Sequence, residues 1–279
     1  MGNERAVVIG GGGVAGIAWA TGVIAGLADA GIDLTGADSY IGTSAGANVI
    51  AQLTSGLTTA ELFARQVEPE LQSSEIVPDG NPLDGVWETV TRIMEDSAGD
   101  MAVVRRRVGN LALTTETVPE SARRAVIESR LPVHEWPRQR LLITAVDART
   151  GEPRIFDRDS GVTLVDAVTA SSAVPLVWPP HTVDGVRYTD GGIRTSVNAD
   201  LAAGHARVLI IAPLADPALE IDIAGLTERG ARVELIVPDE AAVAAFGANP
   251  LDTATRVPAA HAGRAQGKSV AAQVARLWD

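Results

Sequence analysis

The sequence contains no cysteine. Disulfides, thiolate metal centres and cysteine nucleophiles are therefore excluded together. The chain also lacks a basic segment followed by an apolar run at its start, so we expect no targeting segment and a cytoplasmic protein. The stretch 6–28 carries no charge but is interrupted by Gly10 to Gly13. This interruption indicates a buried strand, a glycine turn and a buried helix rather than a membrane span.

Positive charge is also scarce. Lys and Arg number 23 against 35 Asp and Glu, which gives a formal net charge of −12. Proteins that bind nucleic acid or anionic lipid electrostatically need a basic surface. We therefore expect no nucleic-acid partner and at most a transient apolar contact with a membrane. A chain of 279 residues, 46% of them hydrophobic, is long enough for one large α/β domain or two small ones.

Short β-branched runs alternate with helical stretches along most of the chain. Residues 5–9 and 39–41 are each followed by glycines and an uncharged helical stretch, which predicts two consecutive strand–turn–helix units. Asp184-Gly185 predicts a hairpin turn. Further strands are predicted at 140–146, 154–156, 207–212 and 232–237. This order predicts a three-layer α/β/α fold with a mainly parallel central sheet.

The segment Gly42-Thr43-Ser44-Ala45-Gly46 lies between the second predicted strand and a helix. This is the nucleophile-elbow pattern, in which Gly42 and Gly46 let the chain turn sharply and hold the Ser44 hydroxyl clear of the backbone. The same residues would also suit an ordinary turn with Ser44 as the helix N-cap. The motif alone leaves both interpretations open.

The segment Gly11-Gly12-Gly13-Val14-Ala15-Gly16 follows the first strand and fits Gly-x-Gly-x-x-Gly, a weak signal for a dinucleotide site. A dinucleotide fold expects an acidic residue at the end of the second strand, whereas here that strand ends in Gly42 and Asp38 precedes it. There is also no Lys-Ser/Thr pair for a P-loop. We therefore expect the glycines to offer N–H groups to an oxyanion, and we expect no cofactor and no metal.

A serine nucleophile needs a base, and the chain has four histidines: His134, His181, His205 and His261. None lies in a convincing catalytic loop, so a surface or structural role is expected for each. The order Ser44, Asp190, His205 would permit an α/β-hydrolase triad. That fold normally places several strands before its elbow, and here only one strand unit comes first. The triad remains the alternative among enzymes.

Several blocks of the chain together resemble the patatin-like phospholipase family. In order they are Gly11-Gly12-Gly13-Val14-Ala15-Gly16, Gly42-Thr43-Ser44-Ala45-Gly46, Ala170-Ser171-Ser172-Ala173-Val174-Pro175, Trp178-Pro179-Pro180 and Asp190-Gly191-Gly192. The resemblance covers about residues 6–214. It implies an α/β fold that hydrolyses ester bonds in lipids with a Ser44–Asp190 dyad and no catalytic histidine. It also implies oxyanion donors at the backbone amides of Gly11, Gly12 and Gly13.

One position departs from the family. Its glycine loop usually has a basic residue before the last glycine, and this chain has Ala15. An arginine there would be expected to brace the loop or to attract a phosphate. The absence of this basic residue argues against a phospholipid substrate more than against a hydrolase. It predicts that the enzyme hydrolyses simple esters better than phospholipids. A non-catalytic or nucleotide-binding α/β protein remains the alternative outside hydrolases.

Residues 68–138 interrupt the strand–helix pattern with polar helical segments and several prolines. We interpret them as a helical insert that caps the site. The insert would belong to a catalytic domain over residues 5–214, which residues 215–279 complete with a strand and helices. Five apolar residues of the insert fall at helical spacing and are predicted to form a wall for an acyl chain: Leu83, Val86, Trp87, Val90 and Met94.

Overall fold

A computed structural model describes residues 4–77 and 82–278. The strands are β1 (Arg5–Ile9), β2 (Ser39–Gly42), β3 (Arg140–Asp147), β4 (Pro153–Phe156), β5 (His181–Val183), β6 (Val186–Asp190), β7 (Arg207–Ile211) and β8 (Arg232–Ile236). The α-helices are α1 (Gly13–Asp29), α2 (Ala45–Leu53), α3 (Thr59–Val67), α4 (Pro82–Asp96), α5 (Met101–Thr114), α6 (Glu120–Arg130), α7 (Leu164–Ser171), α8 (Leu219–Glu228), α9 (Glu240–Phe246) and α10 (Arg256–Trp278).

The strands form one eight-stranded sheet in the order β5-β6-β3-β2-β1-β7-β8, with β4 also paired to β3. Strands β3, β2, β1, β7 and β8 are parallel. The pairs that involve β4, β5 and β6 are antiparallel. The prediction of an α/β fold with a mainly parallel central sheet is therefore confirmed. Strand β8 lies at the outer edge beside β7, so the residues after 214 extend the same sheet.

Alternate side chains of β1 face opposite sides of the sheet. Val7 and Ile9 pack into a large apolar cluster with α1, α2 and α10. Ala6 and Val8 pack into a second cluster with α8 and a short 3-10 turn at Ala199–Ala202. Because both faces of β1 are covered by helical structure, the strand is a continuous apolar run in the sequence rather than an alternating one.

The described part of the insert 68–138 is helical and contains no strand. Helix α6 belongs to the core, because its Ile127 is fully buried in the large cluster. Helix α5 touches the sheet through Gly109, where a Cβ atom would lie 2.3 Å from the carbonyl oxygen of Ala148. The insert therefore supports the sheet as well as covering the end of it, while residues 78–81 of the insert lie outside the described part.

The predicted apolar stripe of α4 is divided between the interior and the surface. Val86 is buried in a small cluster that contains Trp178, and Leu83 and Val90 pack against it. Two members of the stripe are instead 54% and 40% exposed: Trp87 and Met94. None of the helices in the described part of the chain is both long enough and apolar enough to cross a membrane.

Helices α1 and α10 pack together more extensively than any other pair of described elements. Glycines four residues apart bring the two backbones close together. A Cβ atom at Gly22 would lie 2.2 Å from the carbonyl oxygen of Ala260, and one at Gly263 would lie 2.2 Å from that of Trp19. The indole N–H of Trp19 also donates a hydrogen bond to Gln266 at 2.9 Å. The C-terminal helix is thus the main packing partner of the first helix.

Candidate active site

Ser44 lies in a strained turn between β2 and α2. Its backbone angles are φ 54° and ψ −113°, and such a conformation costs a residue with a side chain about 1–3 kcal/mol. Neighbouring side chains hold it there. The Ser44 N–H donates to Ser171 Oγ at 2.9 Å, and the Ser44 carbonyl accepts from Asn48 Nδ2 at 3.0 Å. A nucleophile elbow requires a sharp, strained strand-to-helix turn of this kind.

The two glycines of the elbow are required by close backbone contacts. A Cβ atom at Gly46 would lie 1.9 Å from the carbonyl oxygen of Ile9, and one at Gly42 would lie 2.7 Å from Cα of Ala47. Helix α2 therefore begins in direct contact with the end of β1. Ser44 is consequently at the carboxyl edge of the parallel strands, where open α/β sheets bind their ligands.

Asp190 is the last residue of β6 and lies at the same edge. It is opposite Ala145 in β3, and β3 runs parallel to β2, whose last residue pairs with Ile143. Asp190 Oδ1 accepts a hydrogen bond from the N–H of Gly192 at 2.7 Å. Oδ2 is buried and has no described partner at normal hydrogen-bond geometry. The adjacent Gly191 has no room for a side chain, because a Cβ atom would lie 2.2 Å from Thr144 Oγ1.

Burial raises the pKa of the Asp190 carboxyl from 3.8 to about 6. The residue is only 4% exposed, so its charged form loses most of its hydration. The Ser44 side chain, the Gly192 N–H and the charge of Arg123 lower the pKa by smaller amounts. The Ser44 side chain therefore interacts with this carboxyl, although more loosely than a hydrogen bond of normal geometry. At neutral pH the carboxyl is mostly ionised, yet it is a stronger base than an ordinary aspartate.

Asn198 joins the loops that carry Ser44 and Asp190. Its Nδ2 donates to Thr43 Oγ1 at 2.9 Å and has a longer contact of 3.4 Å with the carbonyl oxygen of Gly191. The residue is fully buried, and its backbone is left-handed with φ 56°, a conformation that asparagine tolerates better than most residues. Sequence reasoning missed Asn198 because no motif surrounds it.

The glycine loop lies beside Ser44, since a Cβ atom at Gly11 would be 3.6 Å from Ser44 Cβ. The N–H of Gly11 is engaged, because it donates to the carbonyl of Ser196 at 2.8 Å. No hydrogen bond to another described residue engages the N–H of Gly12 or Gly13. These two amides stand at the N-terminus of α1, where the helix dipole favours negative charge. Of the three predicted oxyanion donors, Gly12 and Gly13 thus have available N–H groups.

A cavity of about 20 Å³ lies at Ser44. It is lined by residues of the elbow, of α1, of the insert and of the loop after α7, including Ser44, Arg123, Val174, Trp178 and Leu251. A space of this size holds about one water molecule, so the site is closed in this conformation. A larger depression of about 550 Å³, lined by Gly31, Thr35, Gly56 and Gln139 among others, contains neither Ser44 nor Asp190.

The patatin-like phospholipase family model matches residues 7–203. The chain belongs to this family. Membership supports a lipid hydrolase function, and the Ser44 and Asp190 blocks both lie inside the matched range. No curated protein matches the chain significantly.

Among solved structures, the chain is similar to VipD from Legionella pneumophila, with 13% identity, a TM-score of 0.49, and coverage of 98% of this chain and 67% of VipD. It is also similar to full-length ExoU, crystallised with full-length SpcU from the type III secretion system of Pseudomonas aeruginosa. That match has 15% identity and a TM-score of 0.42, and it covers 99% of this chain and 53% of ExoU. This chain therefore spans about half the length of ExoU.

No histidine in the described residues lines the cavity at Ser44. His205 precedes β7 and so lies at the amino edge of the parallel strands, opposite the elbow; its Nδ1 is 2.9 Å from the carbonyl oxygen of Ala202. His181 is buried between Glu120 and Asp166, at 3.0 Å from each carboxyl. The remaining two contact other elements: His134 and His261. The alternative triad of Ser44, Asp190 and His205 is therefore not assembled.

The dinucleotide alternative also lacks its acidic residue. Asp38 comes before β2 and its Oδ2 accepts the N–H of Arg5 at 2.7 Å. It is thus at the amino edge of the sheet, whereas the glycine loop follows the carboxyl end of β1. A ribose bound at the glycine loop would be out of reach of this carboxylate. Within the described residues, no three potential metal-ligating side chains lie together.

Ala15, the departure from the family's loop, is fully buried in the large apolar cluster. Its N–H donates to the carbonyl of Pro250 at 2.9 Å. An arginine in its place would have to enter the core. Positive charge nevertheless reaches the cavity from other parts of the chain, because Arg123 and Arg130 of α6 line it.

These two arginines belong to a buried ion cluster around Glu75. Arg130 Nε and Nη2 donate to the two carboxylate oxygens of Glu75 at 2.8 and 2.6 Å, and Arg256 Nη2 donates to it at 2.9 Å. Arg123 Nη1 is farther away, at 4.0 Å. All four side chains are at most 6% exposed. Burial by itself raises the pKa of Glu75, but the three arginines together bring it below its usual value.

Proposed function

We propose that this chain hydrolyses carboxylic ester bonds of lipids, with Ser44 as the nucleophile and Asp190 as the general base. The observation that carries the proposal is the pairing of a strained serine elbow with a buried carboxyl whose pKa is raised to about 6. A base with a pKa near the working pH combines the correct protonation state with useful basicity. The absence of histidine from the cavity, within the described residues, favours the dyad over a triad.

In the first step, Ser44 Oγ attacks the ester carbonyl carbon and its proton passes to the Asp190 carboxylate. The negative charge that develops on the carbonyl oxygen accepts hydrogen bonds from the N–H groups of Gly12 and Gly13. The intermediate then collapses, the C–O bond to the alcohol breaks, and the alcohol takes the proton from Asp190. A water molecule, deprotonated by Asp190, releases the acid from Ser44 in the same manner.

The acyl chain of the substrate would lie against the apolar side of the cavity. Val174, Trp178 and Leu251 line it, and Val86 of α4 packs behind them. The closed cavity must widen to admit such a chain. Helix α4 and the loop after α7 cover the cavity. Because α4 belongs to the insert, the insert acts as a cap over the site.

Labelling with a fluorophosphonate tests the nucleophile directly. The probe is expected to attach to Ser44, and Ser44→Ala is expected to lose both labelling and hydrolysis of p-nitrophenyl butyrate, by at least about a thousandfold in kcat/KM. Mass spectrometry of the labelled peptide locates the adduct. Ser55→Ala is the matched control: the Ser55 hydroxyl donates to the carbonyl of Gln52 at the end of α2, at 2.6 Å, and the variant should retain both properties. Labelling of wild type at another serine would sink the proposal.

The pH dependence tests the base. Because the pKa of Asp190 is about 6, kcat/KM for the same ester is expected to be constant above that pH. Below it, the rate should fall about tenfold per pH unit as Asp190 becomes protonated. A pH–rate profile from pH 4.5 to 8 checks this. A rate that stayed constant down to pH 4.5 would mean that burial does not control the ionisation of this carboxyl.

A further inference from the structure

Arg123 differs from the other arginines of the ion cluster. Arg130 and Arg256 both donate hydrogen bonds to Glu75 at less than 3 Å, so each has a direct anionic partner. Arg123 is 4% exposed, and its Nε and Nη1 have no hydrogen-bond partner among the described residues. A buried guanidinium without a partner is costly. Three cations here share Glu75, and the other carboxylate whose charge acts on Arg123 is Asp190, which accepts no hydrogen bond from it among the described residues.

A second unpaired donor, the indole N–H of Trp178, belongs to a side chain that packs against Arg123. The guanidinium carbon of Arg123 lies 4.1 Å from the ring centroid of Trp178. The indole N–H of Trp178 is buried and also has no partner among the described residues. Both side chains line the cavity that contains Ser44. Guanidinium and indole N–H groups are donors only, so together they can satisfy an acceptor that enters the cavity, and an anionic acceptor best.

We infer that Arg123 and Trp178 form a phosphate-binding subsite beside Ser44. The inference rests on the proposed function in one respect, because it makes the phosphodiester of a lipid substrate the natural ligand. In a glycerophospholipid the phosphate is only a few bonds from the ester carbonyl, so both groups can enter the same cavity once it has widened. The arginine supplies charge-assisted hydrogen bonds to phosphate oxygens, and the indole supplies a neutral one.

The family's glycine loop usually has a basic residue at position 15, where it would attract a phosphate. In this chain we expect Arg123 to attract the phosphate instead. Arg123 reaches the cavity from the insert, far from the glycine loop in the sequence. Burial and Arg130 lower the pKa of its guanidinium to about 9, so it remains cationic at neutral pH. The chain is therefore expected to prefer phospholipids over neutral esters, contrary to the expectation drawn from Ala15.

Two ester substrates, one with a phosphate and one without, test the subsite in the whole chain. We compare kcat/KM for dihexanoyl-phosphatidylcholine below its micellar concentration and for p-nitrophenyl butyrate, both on the plateau of the pH profile. Arg123→Gln is expected to lower the ratio of the two values by about ten- to a hundredfold. Trp178→Phe, which keeps the aromatic ring but removes the N–H donor, should lower it by a smaller factor. Arg124→Gln is the matched control, because the adjacent Arg124 pairs with Asp166 and Glu128 instead.

Calorimetry with inorganic phosphate tests the same subsite without turnover, so it distinguishes failure of the subsite from failure of the proposed hydrolysis. Wild type and Ser44→Ala should bind phosphate, and Arg123→Gln should bind it at least about tenfold more weakly. If Arg123→Gln weakened phosphate binding yet left the ratio of the two kcat/KM values unchanged, that result would support the subsite, with free phosphate rather than a phospholipid as its ligand. No phosphate binding, together with equal losses on both esters in folded Arg123→Gln and Trp178→Phe, would overturn the inference.

Discussion

Asp190→Asn is expected to abolish ester hydrolysis while making the folded protein more stable at neutral pH. The amide cannot accept the Ser44 proton, and a nucleophile and its base act as one unit. We therefore expect kcat/KM for p-nitrophenyl butyrate to fall by at least about a thousandfold, as in Ser44→Ala. Amide Oδ1 can still accept the N–H of Gly192, which Asp190 binds at 2.7 Å.

The gain in stability follows from the ionisation of Asp190. Its pKa is 3.8 as a free side chain and about 6 in the folded protein, so the folded state binds the proton more tightly. The free energy of unfolding therefore decreases as the pH rises from about 4 to about 6, and the loss is complete above that range. A rise from 3.8 to about 6 corresponds to about 3 kcal/mol. Asparagine carries no charge, so it avoids this cost.

Urea denaturation of wild type and Asp190→Asn at pH 5 and pH 8 measures the effect. The variant should be more stable than wild type at pH 8, and the difference should shrink at pH 5. Asp184→Asn is the control, since Asp184 occupies an exposed turn with φ 49°. Activity in Asp190→Asn would show that the carboxyl is not the base. A variant less stable than wild type at both pH values would show that its buried charge does not destabilise the fold.

Glu75→Gln is expected to destabilise the fold strongly. Among the described residues, Glu75 is the only carboxylate within 4.0 Å of Arg123, Arg130 and Arg256, and the substitution removes it. Removing one partner of a buried ion cluster costs about 3–5 kcal/mol, because the remaining charges are left uncompensated. Since the pKa of Glu75 in the folded protein is below its usual 4.5, its contribution is present at neutral pH and is lost as the pH falls through that lower value.

Thermal denaturation with and without phosphate checks this prediction. Glu75→Gln should have a markedly lower Tm, and added inorganic phosphate should raise the Tm of the variant more than that of wild type, because an anion can replace the lost carboxylate. Glu70→Gln, at an exposed position of the same segment, should behave like wild type. An unchanged Tm in Glu75→Gln would show that the three guanidiniums do not need this partner.

Ser44 and Asp190 could be singled out in the sequence as candidates because local backbone requirements mark them. Glycines are needed where the elbow touches β1 and where the Asp190 loop touches β3, so these contacts leave short motifs in the sequence. The parallel strand pattern was readable for a similar reason, because strands buried on both faces are continuous apolar runs. These signals are confined to a few adjacent residues.

The charged and polar surroundings of the site could not be predicted in this way. Glu75 and Arg256 are 181 residues apart and meet only in the folded chain. Asn198 contacts Thr43 across 155 residues. The sequence around Arg123 resembles that of an ordinary polar helix. Nothing in it indicates that the Arg123 side chain is buried against Trp178 from another segment. Pairings of this kind have no fixed spacing, so one sequence does not reveal them.

The glycine-lined contact between α1 and α10 has a consequence for how the chain folds during synthesis. Helix α1 leaves the ribosome early, but its main partner is at residues 256–278. Until α10 has been made, the part of α1 that packs against it, including the backbone next to Gly22 and Gly26, remains uncovered. Contacts between such distant segments slow folding, and exposed apolar surface attracts chaperones and aggregation. The nascent protein should therefore remain vulnerable until α10 has been synthesised.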